Sequence, residues 1–344
     1  MPEPLPVLPP AVVTVIGEAL IDLVPDGAPD RYRARPGGSP FNVAIGLARL
    51  GHRTALMARL ADTAFGKLLR EHAAAEGIDL TCAPHAKEPT TLAIVSMDAH
   101  AQASYDFYHQ GTSDWQWSAA ETSRLPADTA VLHIGSAASW TPPGEQYIHA
   151  AASRLRAGGD VLISYDPNVR PALLDDPIRA RTLIEGTVAT AHLVKASRED
   201  IDWLYPHTGV DKVAARWLAL GALVVIVTDG ARGAHLMRAG APTLHRPGRQ
   251  VAVADTVGAG DAFTAGMLGA LIRAGLHTPE LLAGSPAAAL AVALDEAILV
   301  SAMTCQRIGA DPPVALPRAD VPAGSPLTAA DLAFKEPAEL TLMP

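Results

Sequence analysis

Cysteine is nearly missing: Cys82 and Cys305 are the only two in 344 residues. Two cysteines make neither a disulfide framework nor a cysteine-built zinc site, so both are read as reduced core thiols. Charge is also scarce. Asp, Glu, Lys and Arg make up 18% of the chain, where about a quarter is usual. The formal net charge is −9 and no Lys/Arg cluster stands out, which removes the basic footprint of a nucleic-acid binder. No uninterrupted apolar run reaches the roughly 18 residues of a membrane span. The first ten residues, MPEPLPVLPP, have neither the basic nor the apolar region of a secretory signal. These absences predict a cytoplasmic protein with no nucleic-acid or membrane partner.

What is present is a large apolar fraction, 49% of the chain, in a length sufficient for one large domain or two small ones. Residues 1–10 hold five prolines and are expected to be disordered or extended. Prolines recur again from Pro312 onward, and 314–344 reads as a tail that wraps the surface or moves freely. Between them the pattern is α/β. Apolar runs at Val12–Ile16, Val131–Ile134, Val161–Ser164, Leu193–Val194 and Leu223–Val227 are continuous, not alternating, which suits a parallel sheet covered on both faces. The last four recur about every 30 residues, the length of one βαβ unit, with helices predicted over stretches such as Gly144–Arg156 and Lys212–Leu220. Strands ending on Asp166, Lys195 and Thr228 should line one crevice, because ligands of open α/β sheets sit at the strands' carboxyl ends. Ala19–Val24 with Arg31–Arg35, and Thr90–Met97 with Gln102–His109 around the turn Asp98-Ala99-His100-Ala101, read as two hairpins outside that rhythm. They predict a small accessory sheet within about residues 18–36 and 89–110, a lid over the crevice.

The stretch carrying most chemistry is Asp255-Thr256-Val257-Gly258-Ala259-Gly260-Asp261-Ala262-Phe263. A Gly-rich turn feeding the apolar helix Ala262–Ile272 exposes backbone N–H groups at a helix N-terminus, an anion site. Asp261 stands at its mouth. A carboxylate is a poor neighbour for an anion unless it has a task, and the obvious one is taking a proton from a hydroxyl that attacks a phosphoryl group.

This stretch is similar to the second signature of the ribokinase-like (PfkB) carbohydrate kinases, and Arg35-Pro36-Gly37-Gly38-Ser39-Pro40-Phe41-Asn42-Val43-Ala44 resembles their first. The two stand in the family's order, about 220 residues apart, and the resemblance covers residues 11–313. It implies a three-layer α/β/α kinase with a β-sheet lid. Asp261 would be the general base, the amides of Gly258, Ala259 and Gly260 an anion hole worth several kcal/mol to the transition state, and Gly37, Gly38 and Asn42 a sugar-binding loop. Asp22 matches the aspartate that holds sugar hydroxyls. Asp166-Pro167-Asn168-Val169-Arg170-Pro171 resembles the D-x-N-x-R element of fructokinase-like members, placing Asn168 on the sugar and Arg170 as a clamp. Thr228-Asp229-Gly230-Ala231-Arg232-Gly233 resembles the T-x-G-x-x-G nucleotide loop, assigning Thr228, Gly230 and Gly233 to ATP. Lys195-x-Ser197 is similar to bacterial fructokinases, where the lysine faces the nucleotide.

Two elements depart from the family pattern. Where many members carry Asn-x-x-Glu to organise Mg²⁺ through water, this chain has Ser197-Arg198-Glu199-Asp200, which also reads as a helix cap; the magnesium carboxylate stays open between Glu199 and Asp200. Phe107-Tyr108-His109-Gln110-Gly111 resembles the F-Y-R-x-G lid segment, with Tyr108 expected on the substrate. His109 replaces the arginine whose fork would bind an acid sugar. Asp255 matches the K⁺-binding region of many relatives, and reads equally as a turn aspartate. The resemblance thus implies an ATP- and Mg²⁺-dependent sugar kinase, activated by K⁺ in some relatives, phosphorylating a primary hydroxyl, with fructose as first choice and a homodimer formed through the lid. The alternatives are a 2-keto-3-deoxygluconate kinase, another sugar or nucleoside kinase, and an inactive sugar-binding regulator. A dinucleotide-dependent oxidoreductase is excluded, since no G-x-G-x-x-G follows the first strand.

Overall fold

The valine-rich run Val12–Ile16 is buried along its whole length, and the sheet grows on both sides of it. The structure, a computed structural model, describes residues 11–28, 30–97, 103–174, 176–318, 321–322 and 324–335. The proline-rich start, the whole turn 98–101 and the end of the tail lie outside them. In chain order the strands are β1 (Val12–Ile16), β2 (Leu20–Pro25), β3 (Tyr32–Gly37), β4 (Arg53–Met57), β5 (Leu60–Ala61), β6 (His85–Ala86), β7 (Leu92–Met97), β8 (Ala103–Tyr108), β9 (Thr129–Gly135), β10 (Leu162–Asp166), β11 (Leu193–Ser197), β12 (Val224–Thr228), β13 (Ala234–Met237), β14 (Leu244–Arg246), β15 (Val314–Ala315) and β16 (Leu332–Ala333). The helices are α1 (Ser39–Arg49), α2 (Ala64–Ala75), α3 (Ala119–Thr122), α4 (Glu145–Gly158), α5 (Pro177–Val188), α6 (Arg198–Leu204), α7 (Val210–Leu220), α8 (Ala259–Arg273), α9 (Pro279–Ala283) and α10 (Ala287–Thr304).

Eight strands form the central sheet in the order β14-β13-β12-β11-β10-β9-β1-β4. The pairs from β4 to β12 are parallel, and β13 and β14 add antiparallel at one edge. Strand alternation divides the core in two. Val224 and Ile226 join Phe41, Leu268 and Leu294, contributed by α1, α8 and α10, on one face. Val225 and Val227 join Ile148, Ile184, Ile201 and Trp217, from α4 to α7, on the other. Both faces being covered explains why these strands read as unbroken apolar runs. The strand β4, which the sequence reading did not single out, begins on an exposed arginine.

The two predicted hairpins form one separate sheet, ordered β3-β2-β7-β8, with β2 and β7 parallel and the outer pairs antiparallel. It is the lid. Helix α10 is long and apolar enough to cross a membrane by length and composition. Here it is a core helix packed along α8, and its two acids are taken up by ion pairs, Asp295 with Arg246 and Glu296 with Arg273. The described part of the tail folds back. β15 pairs with β16, Leu327 and Leu332 enter the core beside α10, and the Leu327 amide donates to Glu296 Oε2 at 2.9 Å.

Candidate active site

Asp261 lies in the first turn of α8, whose N-cap Gly258 sits at φ 75, a left-handed conformation that glycine adopts without steric cost. The turn leaves the amides of Gly258 and Gly260 without an intramolecular partner among the described residues. The Ala259 amide differs from expectation: it donates back to the Thr256 carbonyl at 3.2 Å. The open amides of the turn are therefore those of Gly258 and Gly260, with Ala259 bracing it.

Two side chains from α1 hold Asp261. Ser39 Oγ donates to Asp261 Oδ1 at 2.6 Å, and Asn42 Nδ2 donates to Asp261 Oδ2 at 2.9 Å. Asn42, expected on the sugar, here bonds the Asp261 carboxylate. Ser39 was missed by the sequence reading. The signal was available, since Ser39 and Asn42 are three apart and so share one helix face. Gly38 caps α1 and accepts the Asn42 amide at 2.9 Å.

The lid supplies the opposite wall. Gly37 pairs with Leu20, and its missing side chain leaves room for the Asp22 carboxylate. Burial pushes the Asp22 carboxyl up to about 6, a shift opposed by the charge of Arg170 and reinforced by that of Asp261. Asp22, Arg170 and Asp261 are thus close enough to feel one another's charge. Register decides which lid aromatics join them. Asp22 pairs with Ala93 and Ala93 with Phe107, so Asp22 and Phe107 share a face. Tyr105, two residues earlier, shares it too, stacked on Phe107 with ring centroids 6.1 Å apart. Tyr108 points from the other face and is 61% exposed. The expectation for Tyr108 is corrected by the pleat: Tyr105 and Phe107 are the rings beside Asp22.

The carboxyl ends of β10, β11 and β12 form the floor. Lys195 Nζ and Asp166 Oδ2 make a buried ion pair at 2.8 Å. Burial alone would lower the lysine, but the charge and hydrogen bond of Asp166 reverse this and hold it above its usual value. A Cβ on Gly260 would lie 3.0 Å from Lys195 Nζ, so the ammonium abuts the anion turn. Asp166 also accepts the Asn168 amide at 3.0 Å. Asn168, expected on the sugar, bonds its neighbours. Held at φ 40, its side chain accepts from Arg170 Nη1 at 2.7 Å and donates to Ser136 Oγ at 3.2 Å. It therefore fixes the place of the Arg170 guanidinium.

Asp200 forms a full capping box with Ser197 and accepts the Val169 amide at 2.9 Å. Burial raises its carboxyl. Both its oxygens are committed to backbone amides, whereas Glu199 is exposed. Among the described residues no group of three or more His, Cys, Asp and Glu could hold a metal. Asp255 Oδ2 accepts the Gly309 amide at 2.8 Å and Oδ1 the Val257 amide at 3.1 Å, which staples the anion turn to residues 307–310. Thr228 ends β12 on the crevice side. Gly230 and Gly233 close a turn on each other, with the Gly233 amide 3.0 Å from the Gly230 carbonyl, and buried Asp229 pairs with Arg198 and Arg232.

A β-sheet crevice with a lid aspartate, an arginine clamp and an amide-lined turn ending in a held carboxylate is phosphotransferase geometry. The chain belongs to the pfkB family of carbohydrate kinases, whose model matches residues 11–315. Among its relatives are the fructokinase of Rhizobium leguminosarum bv. trifolii, 35% identical over 79% of this chain and 83% of that protein, and the fructokinase of Klebsiella pneumoniae, 34% identical over 81% and 90%. A solved structure with the same fold is fructokinase with bound ATP from Xylella fastidiosa, with a TM-score of 0.79 and 26% identity over 87% of this chain and 93% of that one. Another is a double-mutant fructokinase from Vibrio cholerae O395 in its fructose-, ADP- and potassium-bound form, with a TM-score of 0.75 and 26% identity over 88% and 94%.

Proposed function

We propose that this chain is an ATP-dependent fructokinase that converts fructose and ATP to fructose 6-phosphate and ADP. The observation that carries the reading is the Asp261 carboxylate, held by Ser39 and Asn42 in the turn that leaves the Gly258 and Gly260 amides open. Asp22 and the Gly37–Gly38 backbone hold sugar hydroxyls, leaving the primary hydroxyl at Asp261. That oxygen bonds to the γ-phosphorus while its proton passes to Asp261. The bond from the γ-phosphorus to the bridging oxygen breaks, and ADP leaves with the electron pair. Charge on the moving phosphoryl is met by the open amides of Gly258 and Gly260, with the Lys195 ammonium behind them and Arg170 from the side. Thr228 and the Gly230–Gly233 turn border the ATP phosphates.

Mg²⁺ binds mainly through nucleotide phosphates and water, with few protein ligands. When bound it would supply neutralising charge, with Glu199 as the exposed carboxylate facing its waters. Asp255 keeps spare oxygen lone pairs and lies beside backbone carbonyls, a donor set that suits K⁺. A cytoplasmic location and a homodimer formed through the lid complete the reading.

A kinase assay over a sugar panel with ATP and Mg²⁺, with and without K⁺, tests it. Fructose should be preferred, and turnover of 2-keto-3-deoxygluconate alone would replace fructose with an acid sugar. Asp261→Asn should lower kcat by about 10²–10⁴-fold; retained activity would remove the base assignment.

A further inference from the structure

We propose that Asp114 is the positioning residue of the lid, a buried carboxylate that ties three of the lid's four stems together and so sets where Asp22 stands over Asp261. Asp114 belongs to none of the motifs that mark the active site. It lies in the short 3-10 turn Ser113–Trp115 that follows β8, and it is fully buried.

Its two oxygens face different stems. Oδ1 accepts the amide of Ala19, the residue before β2, at 3.0 Å. Oδ2 accepts the hydroxyl of Thr91, the residue before β7, at 2.5 Å. Thr91 Oγ1 is 2.6 Å from Thr112 Oγ1, in the segment that leaves β8. A hydroxyl chain therefore runs from Thr112 through Thr91 to the carboxylate. With the Thr112 proton turned toward Thr91, the His109 carbonyl beyond it takes its donor from Trp115 Nε1 at 2.8 Å. Backbone bonds run between the same stems, with Ile21 N donating to Thr91 O at 3.1 Å and Ser113 N to Pro89 O at 2.9 Å. The fourth stem, from β3 into α1, passes through Gly37 and Gly38 and has no part in the knot.

The physical case rests on what a buried carboxylate demands. An ion removed from water is costly unless its oxygens are bonded, and a fully bonded one holds its donors in a single arrangement. Here the donors are the roots of β2 and β7, so the knot fixes both strands relative to the body of the enzyme. Asp22 is on β2, two residues beyond Leu20 and three beyond Ala19, and cannot move far unless the Ala19 tie is released. Catalysis needs Asp22 and Asp261 on one sugar at once, and misplacement by about 1 Å can cost a factor near 100.

The inference rests on the fructokinase reading for one of its two measurements. Asp114→Ala should raise the KM for fructose about tenfold or more, with the KM for ATP within about twofold, because ATP is held by the body and not by the lid. Thr91→Val removes one tie and should shift the fructose KM in the same direction by less. Asp114→Asn should recover most of the lost fructose affinity. Its Oδ1 still accepts from Ala19, and its Nδ2 donates to Thr91, reversing the hydroxyl chain toward Thr112 and the His109 carbonyl. Amide hydrogen exchange, which needs no sugar, should show faster exchange in β2 and β7 of Thr91→Val and Asp114→Ala with α8 unchanged. An unchanged fructose KM in Asp114→Ala would overturn the proposal. So would a parallel rise in both KM values, or an Asp114→Asn variant no better than Asp114→Ala. Where Asp114→Ala does not fold, Thr91→Val decides by the same criteria. If the wild-type enzyme does not turn over fructose, the functional reading fails, and lid exchange decides this inference alone: unaltered exchange in Thr91→Val sinks it.

Discussion

Gly46→Ala places a single methyl group one helical turn from the catalytic contacts and should separate activity from stability. Asn42 and Gly46 are four apart on α1, and Asp261 and Ala265 are four apart on α8, so the two pairs stack as successive rungs between the helices. A Cβ on Gly46 would lie 2.7 Å from Ala265 Cβ, where ordinary contact begins at 3.4 Å. The helices must part by about 0.7 Å to accept it. That movement would stretch the Asn42–Asp261 bond from 2.9 Å to about 3.6 Å, beyond the range of a hydrogen bond. Overpacking of this kind costs about 1–3 kcal/mol, and replacing glycine by alanine inside a helix returns about 1 kcal/mol. The net stability change is about 0–2 kcal/mol, a melting shift of about 0–3 °C in a chain of this length. Activity should fall much further, by about 10–100-fold in kcat/KM, because the base loses one of its two orienting donors. Steady-state kinetics beside a thermal melt reads both. Wild-type kcat/KM in a variant that folds normally would refute the argument that α1–α8 contact sets the base.

Three other perturbations follow from the same geometry. Lys195→Met leaves Asp166 buried without its counter-ion and should cost about 3–5 kcal/mol of stability, read by urea unfolding; an unchanged midpoint would mean the pair is solvated. Asp22, with its folded carboxyl at about 6 against 3.8 for the ordinary group, binds its proton more tightly folded than unfolded. Its contribution to stability is thus full below about pH 4 and lost as pH rises through 6, and Asp22→Asn should flatten that slope. Since a carboxylate holds sugar hydroxyls better than a carboxyl, the fructose KM should also rise as pH drops below 6, measured against an unaltered ATP KM. Ending the chain at Ala315 removes Leu327 and Leu332 from the core and the amide that bonds Glu296. At about 1.5–3 kcal/mol per buried leucine this should cost about 3–6 kcal/mol, seen as a lowered unfolding midpoint.

Local chemistry was legible without any structure. The Gly-rich turn before α8, the Ser197–Asp200 cap, the strand-end polar residues Asp166, Lys195 and Thr228, and both lid hairpins are each written in a few consecutive residues. Their conformations depend on near neighbours, which is why sequence alone determined that this chain carries an anion turn with a carboxylate beside it under an α/β sheet. The partners of those groups were not legible. Ser39 and Asn42 lie 222 and 219 residues from Asp261, and Asp114 lies 95 residues from Ala19. Which atoms meet over such separations depends on how closely α1 packs on α8 and on the register of β2 against β7. A shift of one residue in that register would exchange Tyr105 for Tyr108 over the crevice. Packing and register, decided only when the whole core closes, turned a recognisable motif into a base with two orienting donors and a lid with a defined inner face.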